Sequence, residues 1–210
     1  MTTLTNSDVT KLAFIKKVDS EGNVSLVACP SDFKVGTAAN VSDLTVTGNS
    51  TVTGNLEVTT QPRFFVHLTD SDQSITSGDW TTVEFNTKRF DVGSSYDTSN
   101  YTFTVPKSGT YFLSSNIRIN SIETSIDYIW IRFYINSSTA LYGTLYRTDD
   151  VANSTIAYWT VTLATPIDLT EGDTVVTQVI AYNGGAATNV DGESGNASSL
   201  RTWFSGYLLG

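Results

Sequence analysis

The chain has 210 residues, 40% of them hydrophobic, and carries a formal net charge of -9 at pH 7 with a pI near 4.4. This length and apolar content suffice for one packed domain with an appendage, which excludes a disordered protein. The acidity argues against a protein that wraps nucleic acid, because phosphate backbones are bound by basic surfaces.

The first 35 residues contain two apolar-rich runs, LAFIKKV and VSLVA, on either side of the turn cluster DSEGN. This pattern predicts a β-hairpin over residues 1–35. An isolated hairpin is marginally stable in water, so we expect this one to dock onto a larger assembly or to be shared between chains. Two roles stay open, attachment to a larger particle and a small cap on the segment that follows.

Residues 36–60 contain three related hexads, LTVTGN, STVTGN and LEVTTQ. Their alternation and their Gly-Asn endings predict a short strand and a turn in each unit, and three such units cannot enclose a core alone. Three parallel chains around one axis would supply the missing apolar partners. We therefore predict a short trimeric β shaft with the interface residues Leu44, Val46, Val52, Leu56 and Val58.

Residues 61–210 alternate β-branched and aromatic runs with polar loops, without convincing helical periodicity. They predict an all-β domain built as a sandwich or jelly roll. The predicted strands are Arg63 to Leu68, Thr81 to Phe85, Tyr101 to Val105, Thr110 to Ile119, Tyr128 to Ile135, Leu141 to Arg147, Ile156 to Leu163, Thr174 to Tyr182 and Leu200 to Leu209.

Few residues in the sequence are suited to catalysis. Cys29 is the only cysteine and His67 the only histidine, so an internal disulfide, a CxxC site and a cluster of histidine metal ligands are excluded. The patterns GxSxG, HExxH and the phosphate loop do not occur. His67 lies in an apolar strand, where we expect a structural or surface role, and we predict that the protein is not an enzyme.

The remaining chemical candidates are paired carboxylates in loops. Such pairs serve as acid and base in glycosidases, but solvated turns also contain them, and we favour that second interpretation. Clustered loop oxygens suit calcium, although the EF-hand spacing is absent. We predict no metal site, with calcium in the 183–199 loop as the open alternative. The pairs are Asp70 with Asp72, Asp149 with Asp150, and Asp191 with Glu193, and Asn196 would complete the calcium set.

Several motifs of the C-terminal region occur in the order and spacing of one known family. They are Val83-Glu84-Phe85, Tyr96-Asp97, YTFTVP at 101–106, GTYF at 109–112, Leu169 with Gly172-Asp173 and Val175, and FSGYLL at 204–209. Together they resemble the complement q-component and tumour necrosis factor jelly-roll family, and the FSGYLL ending is the most specific of them. The resemblance implies a compact homotrimeric head with its last strand near the three-fold axis.

Strand parity, combined with this resemblance, assigns side chains to two faces. The resemblance implies that one face contacts the neighbouring protomers. This face carries Phe112, Tyr158, Phe204 and Leu208. The opposite face is expected to fill the sandwich core with Leu113, Ile117, Ile129, Ile131, Phe133, Trp159, Val161 and Trp203.

The resemblance also implies that the loops 120–127, 147–154 and 183–199 cluster at the end of the head away from the termini. The last loop is long and glycine-rich, which is typical of functional loops but also of tolerated insertions. We predict that contacts with a cell-surface molecule involve Asp149, Asp150, Asn153, Asn189, Asp191 and Glu193.

A second candidate surface is aromatic. Tyr128, Trp130 and Tyr134 share one parity of a strand, and Tyr142 and Tyr146 extend the stripe. Such platforms stack on sugar rings, but ordinary packing under the neighbouring Arg132 is the interpretation we favour.

The order of the segments differs from that of vertebrate relatives, because no collagen-like Gly-X-Y stalk precedes the head. Hexads before such a head, with no signal-peptide pattern in the first ten residues, resemble bacteriophage fibre and capsid-decoration proteins. This resemblance implies location on the virion surface and anchoring of the N-terminus to a capsid or tail protein. The head would then bind a host-surface glycan or protein by avidity, or only decorate the capsid.

The partners expected from this interpretation are the other two protomers, the virion and the host surface. We expect no nucleic acid, and no membrane insertion, since no apolar run reaches the roughly 20 residues that span a bilayer. The alternative is a secreted or cell-surface bacterial protein with a TNF-like binding head. A polysaccharide depolymerase is the least favoured.

Overall fold

The computed structural model describes residues 60–69, 71–122, 126–147, 157–182, 188–192 and 200–209, and the backbone of two short N-terminal strands. The chain divides into two units, Met1–Leu56 and Glu57–Gly210. In the first unit, β1 (Ile15–Val18) pairs antiparallel with β2 (Val24–Leu26). The other predicted features of residues 1–59 lie outside the described residues, so the anchor, the trimeric shaft and the three-part division stay predictions. These features include the shaft residues Leu44, Val46, Val52, Leu56 and Val58.

All regular structure described in the second unit is β, as predicted. Within the described ranges, no helix has the length and apolarity needed to cross a bilayer. The strands are β3 (Arg63–His67), β4 (Gln73–Ile75), β5 (Thr81–Thr82), β6 (Thr87–Val92), β7 (Tyr96–Asp97), β8 (Thr102–Thr104), β9 (Gly109–Asn120), β10 (Tyr128–Ile135), β11 (Thr139–Arg147), β12 (Tyr158–Leu169), β13 (Thr174–Tyr182), β14 (Thr188–Val190) and β15 (Trp203–Leu208).

These strands form two antiparallel sheets. Sheet I has the order β4-β14-β9-β15-β3-β6. Strand β12 pairs with β9 along the whole length of β9, on the edge of β9 that faces away from β14 and β15. Sheet II has the order β11-β10-β13-β8-β7, and β5 pairs with β13. The chain crosses between the sheets from β9 to β10, from β11 to β12 and from β12 to β13, whereas β10 and β11 are consecutive strands within sheet II.

The core lies between the two sheets, because the long strands alternate buried and half-buried side chains. Leu113 and Ile117 of β9 are buried, as are Ile131 and Phe133 of β10. Burying each such side chain contributes about 1.5–3 kcal/mol. The core predictions for Leu113, Ile117, Ile129, Ile131, Phe133 and Val161 are confirmed, while Trp159 is partly buried at the edge of the core.

The parity predicted for β15 is wrong. Phe204 has 0% exposure and Leu208 is also buried, so both lie between the sheets instead of on the outward face. Trp203, predicted for the core, is half-buried on the outward face, where its ring stacks on Phe65 at 5.5 Å between centroids. Both parities of this strand carry large aromatic side chains, so alternation in the sequence could not distinguish the faces.

Gly206 lies on the inward face of β15 together with Phe204. A Cβ atom there would be 2.5 Å from Leu113 Cδ2 and 2.7 Å from Phe64 Cε1. The close approach that this glycine permits is therefore made by core side chains.

Several strand boundaries also differ from the prediction. The predicted strand Thr81 to Phe85 shortens to β5, which has two residues, and β12 begins at Tyr158 and extends to Leu169. The strands β4, β7 and β14 were not predicted, because two or three residues are too few to show a period-two pattern. The six residues of β6 were not predicted because they do not alternate between buried and exposed positions.

Candidate functional site

The single histidine, His67, has a buried position in the head. His67 is buried at the end of β3, with its ring 6.5 Å from that of Phe65. In the part of the chain that the structure describes, no three His, Cys, Asp or Glu side chains are grouped to hold a metal ion.

Asp191 follows β14 and has a structural role. The residue is only 5% exposed, and Arg118 Nε donates to Oδ2 of its carboxylate. Thr202 Oγ1 donates to the Asp191 carbonyl oxygen at 2.8 Å, and Asp191 N donates to the Arg118 carbonyl oxygen at 2.8 Å. The carboxylate thus connects β9 to the segments beside it, and its burial differs from the exposed surface contact that was predicted.

Asp72 belongs to the same network. Its Oδ2 accepts a hydrogen bond of 2.7 Å from Asn120 Nδ2, and its Oδ1 accepts one of 2.9 Å from Gly192 N. Asn189, in β14, donates from Nδ2 to Ser121 Oγ at 3.4 Å. The structure brings Asn189 close to this network, so it lies at the predicted loop end of the head.

The other predicted contact residues cannot be placed. Asp149, Asp150, Asn153 and Glu193 lie outside the described residues, as do Asp70 and Asn196. Their predicted roles in host contact or calcium binding stay predictions.

The outward side of sheet I exposes aromatic side chains, which we call the sheet I aromatic face. Phe112 and Tyr207 pair across β9 and β15 with ring centroids 5.7 Å apart, and Tyr207 is 46% exposed. Tyr158 is 54% exposed, with the Arg118 guanidinium 4.2 Å from its ring centroid. The face comprises Phe65, Phe90, Phe112, Tyr158, Trp203 and Tyr207. It contains the two predicted interface residues of the head that lie outside the core, Phe112 and Tyr158.

The outward side of sheet II carries a second aromatic feature, which we call the outer aromatic groove. It is an open groove of about 380 Å³ lined by Trp80, Tyr128, Trp130, Tyr142, Leu145, Arg147 and Ile180. Tyr128 lies between Arg147 and Tyr182 on the adjoining strands, and Trp130 lies between Leu145 and Ile180.

A β-bulge in β11 shapes the groove. Gly143 and Thr144 together lie opposite Ile131 alone, so that Tyr142 and Leu145 both reach the outward face. A Cβ atom on Gly143 would be 2.7 Å from Ile131 Cγ2, which explains why this position is glycine. The bulge is a consequence of strand register, and the aromatic pattern alone did not predict it.

The predicted aromatic stripe is therefore partly correct. Tyr128, Trp130 and Tyr142 share the groove, whereas the Tyr146 ring packs edge-on against Trp159 at 4.7 Å. Arg132 covers part of the surface, as the packing interpretation expected, with its guanidinium 4.1 Å from the Trp80 ring centroid and 4.3 Å from that of Tyr134. Trp80 was not among the predicted groove residues, because it precedes the short strand β5 and has no strand pattern of its own.

Comparisons with known proteins agree with this architecture. Residues 63–209 match the family model of the C1q domain. No curated protein matches the sequence significantly.

The solved structures that match this chain include the globular domain of zebrafish complement 1qA protein, with a TM-score of 0.49 and 18% identity over 71% of this chain and 98% of that chain. Murine APRIL, in its crystal structure at pH 8.0, has a TM-score of 0.50 and 12% identity over 71% of this chain and 99% of its own. Eiger TNF from S. frugiperda has a TM-score of 0.51 and 12% identity over 71% of this chain and 94% of its own. At these identities the likeness concerns the fold.

Proposed function

This chain belongs to the C1q domain family, and we propose that it forms a homotrimer whose heads bind a surface ligand without catalysing a reaction. C1q and TNF-like domains are typically non-enzymatic binding domains. In a closed three-fold ring, one face of each protomer packs against a different face of its neighbour.

The observation that carries the homotrimer is the sheet I aromatic face. Tyr158 and Tyr207 are half-exposed, and large exposed apolar patches on soluble proteins mark interaction surfaces. Removing the remaining exposed area of one such aromatic side chain from water is worth on the order of 2 kcal/mol. We propose that Phe112 and Tyr158 form the interface as expected, together with Phe65, Trp203 and Tyr207 in place of the buried Phe204 and Leu208.

The setting that we propose is the surface of a bacteriophage virion. Support comes from the sequence, where the hexads of residues 36–60 precede the head in place of a collagen-like stalk. The N-terminal segment 1–35 would join a capsid or tail protein, and the loops with Asp149, Asp150, Asn153 and Glu193 would point to the host. Three identical weak sites on each of many copies would give firm attachment by avidity.

The alternative is a secreted or cell-surface bacterial protein with a TNF-like binding head. The jelly-roll fold that the head shares with Eiger TNF is expected in both settings and does not distinguish them. Mass spectrometry of the particle, cell-envelope and medium fractions of the source culture would separate the two. Recovery with intact particles supports the virion, and recovery in the envelope or medium supports the alternative.

The trimer is tested by the mass in solution of the purified full chain and of a shortened chain beginning at Gln61, measured by light scattering. We expect three times the chain mass in both, which for the full chain is three times 22.8 kDa. Tyr207→Lys should lower the mass toward that of a monomer, because it places a charge in the proposed interface. The exposed Thr139→Lys on sheet II is the matched control and should stay trimeric. Monomers of the unmodified chain at micromolar concentration would contradict the proposal.

A further inference from the structure

Tyr158 is the most exposed ring of the sheet I aromatic face. Its exposure is 54%, against 46% for Tyr207. It is the first residue of β12 and lies opposite Asn120 at the end of β9. A ring this exposed has little packing around it, and fixing a free side chain on association costs free energy. A contact that orients the ring within its own protomer therefore favours assembly.

Arg118 makes such a contact. It lies opposite Thr160 in the register of β9 and β12, so it is a diagonal neighbour of Tyr158 on the outward face. Its guanidinium lies 4.2 Å from the Tyr158 ring centroid, and its Nε donates to Asp191 Oδ2. A planar guanidinium stacks on a ring and bonds a carboxylate at the same time, whereas a lysine ammonium is a point charge without such a plane. Arg118 thus links the exposed ring to a buried acid.

Asp191 is held in place by its backbone. Its N donates to the Arg118 carbonyl oxygen at 2.8 Å, and its carbonyl oxygen accepts from Thr202 Oγ1 at 2.8 Å. The same Thr202 hydroxyl oxygen accepts from Arg118 N at 3.3 Å. The carboxylate is also approached by Asn120 Nδ2, 3.5 Å from Oδ1, and by Arg201 Nη1, 4.0 Å from Oδ2. Because a buried carboxylate is stable only when it is paired, its fixed position determines where the Arg118 guanidinium lies.

We propose that Asp191, acting through Arg118, positions the Tyr158 ring for contact with the neighbouring protomer. Tyr158 is the group that touches the neighbour, and Asp191 is a positioning residue that lies beneath the interface. A cation over a ring attracts it more strongly once water is excluded, so trimer formation strengthens the contact between Arg118 and Tyr158. This inference rests on the proposed homotrimer and deepens it, because it names a buried residue on which the interface depends.

The test measures how fast trimers of the full chain exchange subunits, by native mass spectrometry of mixed unlabelled and isotopically labelled samples. Asp191→Asn keeps the shape of the side chain and removes its charge, so we expect exchange about tenfold faster than in the unmodified chain. Tyr158→Ala should also speed exchange. In the double variant Asp191→Asn with Tyr158→Ala, exchange should be no faster than in Tyr158→Ala alone, because the carboxylate acts through the ring.

The matched control is Asp173→Asn. This carboxylate accepts from Asn136 Nδ2 and from Thr170 N, both at 2.8 Å, beside sheet II and away from the proposed interface. Its loss should leave the exchange rate unchanged. A second variant, Arg118→Lys, keeps a cation beside Asp191 and removes the planar group over the ring. It should speed exchange when Tyr158 is present and have no effect in Tyr158→Ala, and it provides the test if Asp191→Asn fails to fold.

Equal exchange rates for the unmodified chain and Asp191→Asn would overturn the inference. An acceleration of the same size with and without the Tyr158 ring would overturn it too, since that result indicates a general loss of stability. Both results leave the trimer standing, because exchange is measured on trimers. A monomeric unmodified chain contradicts the proposed function itself, and the positioning role with it.

Discussion

Asp91, in β6, shows how one carboxylate stabilises a turn. Its Oδ1 accepts hydrogen bonds from Ser95 N at 2.9 Å and Ser95 Oγ at 3.1 Å, and its Oδ2 accepts from Tyr96 N at 3.2 Å and Lys88 Nζ at 2.8 Å. Burial raises the pKa of Asp91, but these bonds together outweigh it and hold the pKa below the ordinary value of 3.8. The ionised carboxylate therefore stabilises the folded state.

We predict that Asp91→Asn lowers the free energy of unfolding at pH 7 by about 1 kcal/mol, allowing for solvent screening of the charge. Since the pKa is depressed on folding, this stabilisation is complete above the unfolded value of 3.8 and is lost as pH falls through the folded value. Urea unfolding of both proteins at pH 7 and pH 3 checks the sign. A difference between them that does not shrink at pH 3 would contradict the explanation.

At the scale of elements, β15 determines how closely the sheet I strands pack on the core. It pairs with both β9 and β3, and its inward face carries Phe204, Gly206 and Leu208. The Phe204 ring lies 4.9 Å from Phe64 and 5.4 Å from Phe133, so this strand contacts both layers. At Gly206 the packed side chains leave no space for an additional methyl group.

Gly206→Ala should destabilise the head by about 1–3 kcal/mol, because the new methyl group would overlap Leu113 and Phe64. Chemical denaturation measures this loss. In the double variant Gly206→Ala with Leu113→Ala, the loss should be smaller than the sum of the two single losses, since removing the leucine makes room for the methyl group. Strictly additive losses would indicate that the two positions do not touch.

At the scale of the whole molecule, the head has two outward faces with different aromatic character. The sheet I aromatic face is broad and spans β6, β3, β15, β9 and β12, whereas the outer aromatic groove is a narrow feature of sheet II. A broad apolar face suits a partner protomer. The proposed trimer therefore assigns the sheet I side of the sandwich to assembly.

If folding and trimerisation are coupled, the unfolding temperature should rise with protein concentration. Each tenfold increase stabilises the assembly by about 2.8 kcal/mol per trimer, because two association steps contribute about 1.4 kcal/mol each. Thermal scans over a hundredfold concentration range provide the measurement. A concentration-independent unfolding temperature would indicate that the folded head does not need its neighbours.

Local order along the chain was sufficient to predict the fold class and most of the core. Period-two alternation in β9 and β10 identifies which residues are buried, because each strand repeats the pattern over eight or more residues. The motifs from Val83 to the FSGYLL ending predicted the family that residues 63–209 match. These features depend on neighbours in sequence, so they are visible without a structure.

Contacts between distant residues decided the rest. The ion pair of Arg118 with Asp191 joins positions 73 residues apart and converts a predicted surface acid into a buried one. Trp80 reaches the groove because β5 pairs with β13. The side chain of Phe204 in β15 points inward because its ring fits among Phe64, Tyr96 and Phe133. Which of two aromatic faces is buried depends on the complementary space left by other strands, and that space exists only after the sheets have packed.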